Sequence, residues 1–152
     1  MRLQTNKRSG STTVEYAFVF PVLFLLLIGM VVGASGVFRY QETAQLARRA
    51  ARYASVHGKE WAKDTGNPAP TPTDIYNTAI APNMVILDPN KLSYSITYNT
   101  SNSAARTSSV NGQVVATTNT VTVTISYQWI PEAFWKGSGI TLSSTSVMPM
   151  SY

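Results

Sequence analysis

The residues from 16 to 38 carry no formal charge and are mostly large and apolar. At 1.5 Å of rise per residue, a helix over this run is about 34 Å long, which exceeds the ~30 Å hydrocarbon core of a bilayer. The run therefore predicts a membrane-spanning helix over about 16–38. The carboxylate of Glu15 lies at its edge, where a charge is costly unless something positive pairs with it. Glu15 is for that reason a candidate functional residue.

A short polar segment ending at Gly10 precedes this run, and its basic residues are Arg2, Lys7 and Arg8. Basic residues beside a first membrane segment keep that flank in the cytoplasm, so everything after Phe38 is expected outside the cytoplasm. Cleavage after Gly10 would give Ser11 a free, positively charged amine. That amine could meet the Glu15 of a neighbouring copy, which predicts a device for assembling identical helices.

Two further features of the apolar run bear on helix packing. Gly29 and Gly33 are four residues apart, and such small pairs let membrane helices approach closely. Glycine is also simply commoner in membrane helices than in soluble ones, and both interpretations stay open. Pro21 is expected to kink or locally open the helix.

The helix is predicted to continue to about His57, with Gly58 as its stop. Its second half is amphipathic and carries alanines at spacings of three and four, namely Ala44, Ala47, Ala51 and Ala54. This small-residue stripe predicts close packing against a sheet. Three arginines fall mainly elsewhere on the helix and are interpreted as a solvated face: Arg48, Arg49 and Arg52. Because no aromatic residues are interleaved with them, they do not support nucleic-acid binding.

Composition limits the chemistry available to the chain. Among its 152 residues there is no cysteine and one histidine, His57, which excludes disulfides, thiolate metal sites and multi-histidine metal sites. No serine or acid constellation accompanies His57, so no catalytic residue, metal site or cofactor is predicted. The roughly 95 residues after His57 are enough to bury a small core.

The residues from 58 to 72 are predicted to form a linker or loop because they contain strong helix breakers, namely Gly66, Asn67, Pro68 and Pro70. Thr73 or Asp74 is predicted to cap a short helix that runs to about Ala81 and ends at Pro82. Its buried side would carry Ile75 and Ala79, with Tyr76 as a further candidate.

The remaining residues predict an antiparallel sheet. Two segments, 92–99 and 120–127, alternate apolar and polar residues with a period of two, and a last strand is predicted from about Ile140 to Met148. Asn111-Gly112 predicts a hairpin-type turn within a long polar connection between the first two strands. The predicted fold class is α+β: a long N-terminal helix, transmembrane in its first half, packed on a small antiparallel β-sheet domain of three to four strands.

Three large aromatic residues cluster near Pro131, namely Trp129, Phe134 and Trp135. They are predicted to lie in a loop, where they are interpreted as a small lid over the core in preference to a ligand platform.

The spacing from Gly10 to Glu15, followed directly by Tyr16 and the apolar run, resembles the processing signal of type IV prepilins and pseudopilins. In more detail, residues 15–23 and 48–54 are similar to the TadE-like minor pilins of tight-adherence pilus systems. The resemblance is specific over about residues 8–57 and loose beyond. It implies cleavage after Gly10 by prepilin peptidase, exposure of Ser11, and a role for Glu15 and Tyr16 in assembly.

The resemblance also implies a layout and a set of partners. Residues 1–10 would be the prepilin leader, residues 11–57 the long helix, and residues 58–152 an extracytoplasmic, pilin-like α+β domain. The protein would be a non-enzymatic minor pilin in the bacterial inner membrane, single-pass, which later enters an extracellular pilus. Its partners would be prepilin peptidase, other pilin subunits, the inner-membrane assembly platform and, before assembly, membrane lipid.

Two other interpretations of the apolar run are open. The first is a secreted binding domain whose signal peptide is removed before Gly36, after the small residues Gly33, Ala34 and Ser35. The second is a single-span membrane scaffold that is never processed.

Overall fold

The structure, a computed structural model, describes residues 9–99, 105–133 and 137–150. Its helices are α1 (Ser9–Val56), α2 (Lys59–Thr65) and α3 (Pro72–Ile75). A π-helical turn (Tyr76–Ile80) and a 3-10 turn (Ala81–Asn83) continue α3, and a second 3-10 turn (Pro89–Lys91) leads into the strands. The strands are β1 (Leu92–Tyr98), β2 (Ala105–Val110), β3 (Gln113–Thr118), β4 (Thr120–Trp129) and β5 (Ile140–Pro149).

Helix α1 is one continuous element of 48 residues that contains Pro21 and does not end there. Its most apolar 18-residue window has a mean hydropathy of 2.7 and none of it is buried within the chain. By length and composition α1 can therefore cross a membrane. The helix begins at Ser9, so it includes the last two residues of the predicted leader as well as the predicted span.

The second half of α1 packs on the inner face of the sheet. Ala47, Ala50, Ala51 and Ala54 are fully buried. Three of them belong to the small-residue stripe predicted from the sequence, whereas its fourth member, Ala44, is half-buried. Opposite them lie the inward side chains of β4, which are buried at alternate positions from Val121 to Trp129. Because alanine side chains are short, the helix backbone approaches the sheet closely, and β-branched residues of β4 fill the space between.

The main sheet has three antiparallel strands in the order β1-β4-β5. Its register pairs Leu92 with Tyr127 and Trp129 with Ile140, so the end of β4 and the start of β5 lie together. With α1 on one face, this is the α+β architecture predicted from the sequence. The opposite face is exposed and rich in hydroxyl groups, such as the pair Thr124–Thr145, whose oxygens are 2.9 Å apart.

Strands β2 and β3 form a separate two-stranded sheet, which the sequence analysis had described only as a long polar connection. That description was wrong because Ala105–Val110 is a strand. The predicted turn is correct: Asn111 and Gly112 have φ of 52° and 80° and join Val110 to its partner Gln113. Positive φ at both central positions is the type I′ geometry that asparagine and glycine favour.

Two local predictions between 58 and 83 need correction. The predicted loop contains α2, which Gly66 ends in the left-handed conformation with φ 73°. The N-cap of the short helix is Thr71 and not Thr73 or Asp74, so the helix begins at Pro72, and Asp74 completes a capping box with Thr71. Pro82 lies inside the 3-10 turn that follows the helix and does not end it. Ile75 and Ala79 are buried as predicted, and Ile80 is buried as well.

Candidate functional site

The sequence-predicted processing and assembly residues lie in the first turns of α1. Gly10 and Ser11 are within the helix, and Glu15 and Tyr16 follow with exposed side chains. Tyr16 contacts Phe20 one turn on, with ring centroids 5.6 Å apart. Among the residues that the structure describes, no ion pair involves Glu15. Within the described residues, this exposed carboxylate is accessible to a group from outside.

Gly29 and Gly33 lie in the exposed part of α1. A Cβ placed on either glycine would meet no atom within 4 Å, so neither glycine packs against the rest of the described chain. The face that they share is open along the helix. Their predicted role in helix packing would accordingly require a second chain.

Gly36 is a glycine at which close packing occurs within the chain, and its neighbour is the side chain of Trp129. A Cβ on Gly36 would lie 2.5 Å from the indole ring of Trp129, a distance at which the ring would have to move. Trp129 is the last residue of β4 and is 8% exposed. Its predicted position in a loop was wrong, although its place over the core is correct. Phe134 and Trp135 lie outside the described residues.

The alternation of buried and more exposed residues along β4 is the sequence signal that predicts the buried position of Trp129. The inward positions Val121, Val123, Ile125 and Tyr127 are followed two residues later by Trp129, and Pro131 is the residue that prevents a longer strand. The period of two thus places the indole on the same face as the core residues, at the end of the strand nearest Gly36.

Arg39 fixes the same junction electrostatically. Its guanidinium donates to Glu132 across 2.6 Å and to the hydroxyl of Ser35 across 3.3 Å, and it lies 5.8 Å from the centre of the Trp129 ring. The pKa of Glu132 is lowered, first by a hydrogen bond from its own backbone N–H and then by Arg39. Together these contacts tie the end of β4 to the helix at the point where the uncharged run ends.

Glu42 is a second buried contact that the sequence analysis missed. It is 9% exposed, and its Oε1 accepts hydrogen bonds from the backbone N–H groups of Val85 and Ile86 across 2.5 and 3.2 Å. The available signal was its position one turn before Leu46 and two turns before Ala50, on the buried row of α1. A carboxylate on that row needs donors from another segment.

The remaining polar side chains of α1 have structural contacts. Arg48 and Arg52 are exposed, as the interpretation of a solvated face predicted, and Arg49 donates to Asn83 Oδ1 across 2.6 Å. The ring of His57 stacks on Tyr53 at 4.2 Å between centroids, and its Nδ1 is 2.8 Å from the Tyr53 carbonyl. Within the described residues there is no cluster of three or more side chains suited to hold a metal ion.

The residues that match a known protein family lie in α1. Residues 10–52 match the family model described as TadE-like protein, which confirms the resemblance predicted from the sequence over this part of the chain. The match runs from the predicted cleavage position through the apolar run and into the buried alanines. No curated protein and no solved structure was found to match the chain. The TadE-like family is a pilin-like family, and the match covers the long helix and not the domain that follows it.

Proposed function

We propose that the chain is a minor pilin or pseudopilin of a tight-adherence pilus, a non-enzymatic subunit that is held in the inner membrane before it enters a filament. The observation that carries this proposal is the coincidence of two features on α1. The TadE-like match covers residues 10–52, and the same helix exposes an apolar window with none of its surface buried in the chain. Such a surface needs lipid or other helices around it.

The first step in this function is maturation by prepilin peptidase, which would cut between Gly10 and Ser11. The cut removes the three basic residues of the leader and creates an amine at Ser11. Before the cut, the leader keeps the start of α1 at the cytoplasmic surface, and the domain after α1 lies on the other side of the membrane. The inner-membrane assembly platform would then receive the mature subunit.

The second step is the pairing of Glu15 with the Ser11 amine of an adjacent subunit. In the filament, both groups would be surrounded by apolar helices, where an unpaired carboxylate is strongly unfavourable. Desolvation cancels much of the attraction in such a pair, so the pair chiefly sets the axial register of neighbouring helices. The open face of Gly29 and Gly33 would allow those helices to approach closely.

The experiment that tests the assembly step is the substitution Glu15→Ala in cells that make the pilus. The mutant should be processed and inserted into the membrane normally, and it should be lost from sheared filaments. Glu60→Ala is the matched control, because Glu60 is paired only with Lys63 across 2.9 Å on the short helix α2, and it should be incorporated normally. Normal incorporation of Glu15→Ala would overturn the pairing mechanism.

A further inference from the structure

Val85 and Ile86 form an apolar segment that protrudes although it is held firmly in place. Val85 is 81% exposed and Ile86 is 41% exposed, and both backbone N–H groups donate to the buried carboxylate of Glu42. A buried carboxylate with two charge-assisted hydrogen bonds restrains the backbone of this segment strongly. The chain thus presents two exposed apolar side chains in a fixed position beside α1.

This segment lies within one helical turn of the end of the uncharged run. Glu42 follows Phe38 by four residues, a rise of about 6 Å. Side chains lean toward the N-terminus of their helix, so the amides bonded to Glu42 lie on the Phe38 side of its Cα. Val85 and Phe38 also line one groove next to α1.

The headgroup layer on each side of a bilayer is roughly 5–7 Å thick, the difference between the full bilayer and its hydrocarbon core. If the uncharged run spans the core, the position of Val85 falls within that layer. The same level carries other exposed apolar side chains from three parts of the fold, which we call the apolar collar: Phe38, Tyr40, Val85, Ile86, Ile130 and Ile140.

The charges at the apolar collar are compatible with such a location. Among the described residues whose contacts place them here, Arg39 is paired with Glu132 and Glu42 is buried and hydrogen bonded. Arg49, which lines the same groove as Val85, donates to Asn83. Aromatic residues with a polar group are typical of the membrane interface, and Tyr40, which is 48% exposed, lies at this level.

We infer that the Val85–Ile86 segment is a second membrane contact, which seats the extracytoplasmic domain in the lipid headgroup layer of the bilayer that α1 spans. Together with the Trp129 side of the apolar collar, it holds the domain on two sides of the helix and limits its tilt against the membrane. The inference rests on the proposed membrane anchoring by α1. Lipid is the occupant that this position favours, because the collar is continuous with the surface of the spanning helix.

The full chain has no cysteine, so single cysteines can carry nitroxide labels without further changes. Val85→Cys is compared in lipid nanodiscs with two matched valines on α1, Val31→Cys in the apolar run and Val56→Cys at the far end, which are 69% and 39% exposed. Collision with oxygen reports lipid and collision with a water-soluble nickel chelate reports water. The label at position 85 should be several-fold less accessible to the chelate than that at 56, and shallower than that at 31.

The two labels on α1 separate the possible failures. If the label at 31 lies in lipid and the label at 85 is as accessible to water as that at 56, the second membrane contact is wrong and the anchor stands. If the label at 31 is itself in water, the proposed anchoring fails. Glu42→Ala in the Val85→Cys background should raise chelate access at 85 and leave access at 31 unchanged in a parallel sample. Unchanged access at 85 would contradict the bracing role of Glu42.

Discussion

Glu42 is the side chain with the most demanding local requirement. Its carboxylate is buried on the same row of α1 as Leu46 and Ala50, and its two donors come from a segment more than forty residues later in the chain. A buried charge on a helix face otherwise occupied by apolar residues is stable only when it is hydrogen bonded. Glu42 therefore links the folding of α1 to the position of the Val85–Ile86 segment.

Glu42→Ala should lower the free energy of unfolding by about 1–3 kcal/mol, because the backbone N–H groups of Val85 and Ile86 lose a charged acceptor. Glu42→Gln keeps one acceptor oxygen and should have a smaller effect. Denaturant unfolding in detergent measures both changes, and hydrogen exchange should show faster exchange of the Val85 and Ile86 amides in Glu42→Ala. Unchanged exchange at those two amides would contradict the assigned contact.

The lowered pKa of Glu132 predicts that the stability of the fold depends on pH. Its folded pKa lies below the ordinary value of 4.5 because its own backbone N–H and Arg39 donate to the carboxylate. For a lowered carboxyl pKa, the stabilisation is present above the unfolded pKa and is lost as the pH falls through the folded pKa. Since the side chain is 55% exposed, its pair with Arg39 contributes only about 0.2–1 kcal/mol.

Wild type should thus exceed Glu132→Gln in unfolding free energy at pH 7 by that small amount, and the difference should vanish near pH 2. Chemical unfolding at both pH values, with high salt as a further condition, measures it. A difference that grows on acidification would show that the carboxylate has another role.

At the scale of elements, the long helix and the central strand were the most predictable parts. Residues 16–38 have no charge, and the alternation from Val121 to Tyr127 is regular, so a single physical pattern determines each element. The alanine stripe also predicted which face of α1 meets the sheet. In these elements the hydrophobic pattern of the sequence matches the period of the observed helix or strand, and tertiary contacts favour the same structure.

The elements that the sequence did not predict are short or depend on packing. Helix α2 has no buried residue, and so it has no apolar periodicity to detect. The turn from Tyr76 to Ile80 is π-helical and buries the adjacent residues Ala79 and Ile80. Glu42 and Gly36 were missed because their partners, Val85 and Trp129, are distant in the chain and are brought to them only by the completed fold.

The contact between Gly36 and Trp129 makes a prediction about helix–sheet packing. Gly36→Ala places a methyl group against the indole and should destabilise the domain, whereas Gly33→Ala has open space around it. Both substitutions gain the same helix propensity, so the difference between them isolates overpacking, about 1–3 kcal/mol. Thermal unfolding in detergent compares the two, and equal stabilities would mean that Trp129 does not pack on Gly36.

At the scale of the whole molecule, the two halves of α1 differ in their surroundings. Its first half exposes an apolar surface and carries Glu15, and its second half is the core of a small α+β domain. Gly36 and Arg39 join the helix to the end of β4, and Glu42 joins it to the Val85–Ile86 segment. In the proposed filament, a register set at Glu15 would reach the domain through these contacts.

The sequence and the fold predict which residues take part in assembly, but a single chain cannot show the pairing itself. In the proposed mechanism Ser11 would acquire its amine only after cleavage, and the partner of Glu15 belongs to another subunit. In the described part of the chain, a Cβ on Gly29 or Gly33 would likewise meet no atom within 4 Å. The parts of the candidate site that remain predictions are those that need a second molecule.

The central claim is that Ser11 becomes the N-terminus of the mature protein. Intact mass combined with N-terminal sequencing, on protein extracted from cells that make the pilus, measures this directly, and cells without prepilin peptidase are the control. The account predicts a start at Ser11 that reverts to Met1 in the control cells. A start at Gly36 in both strains would identify a cleaved signal peptide, and a start at Met1 in both would identify an unprocessed anchor, and either result would contradict the account.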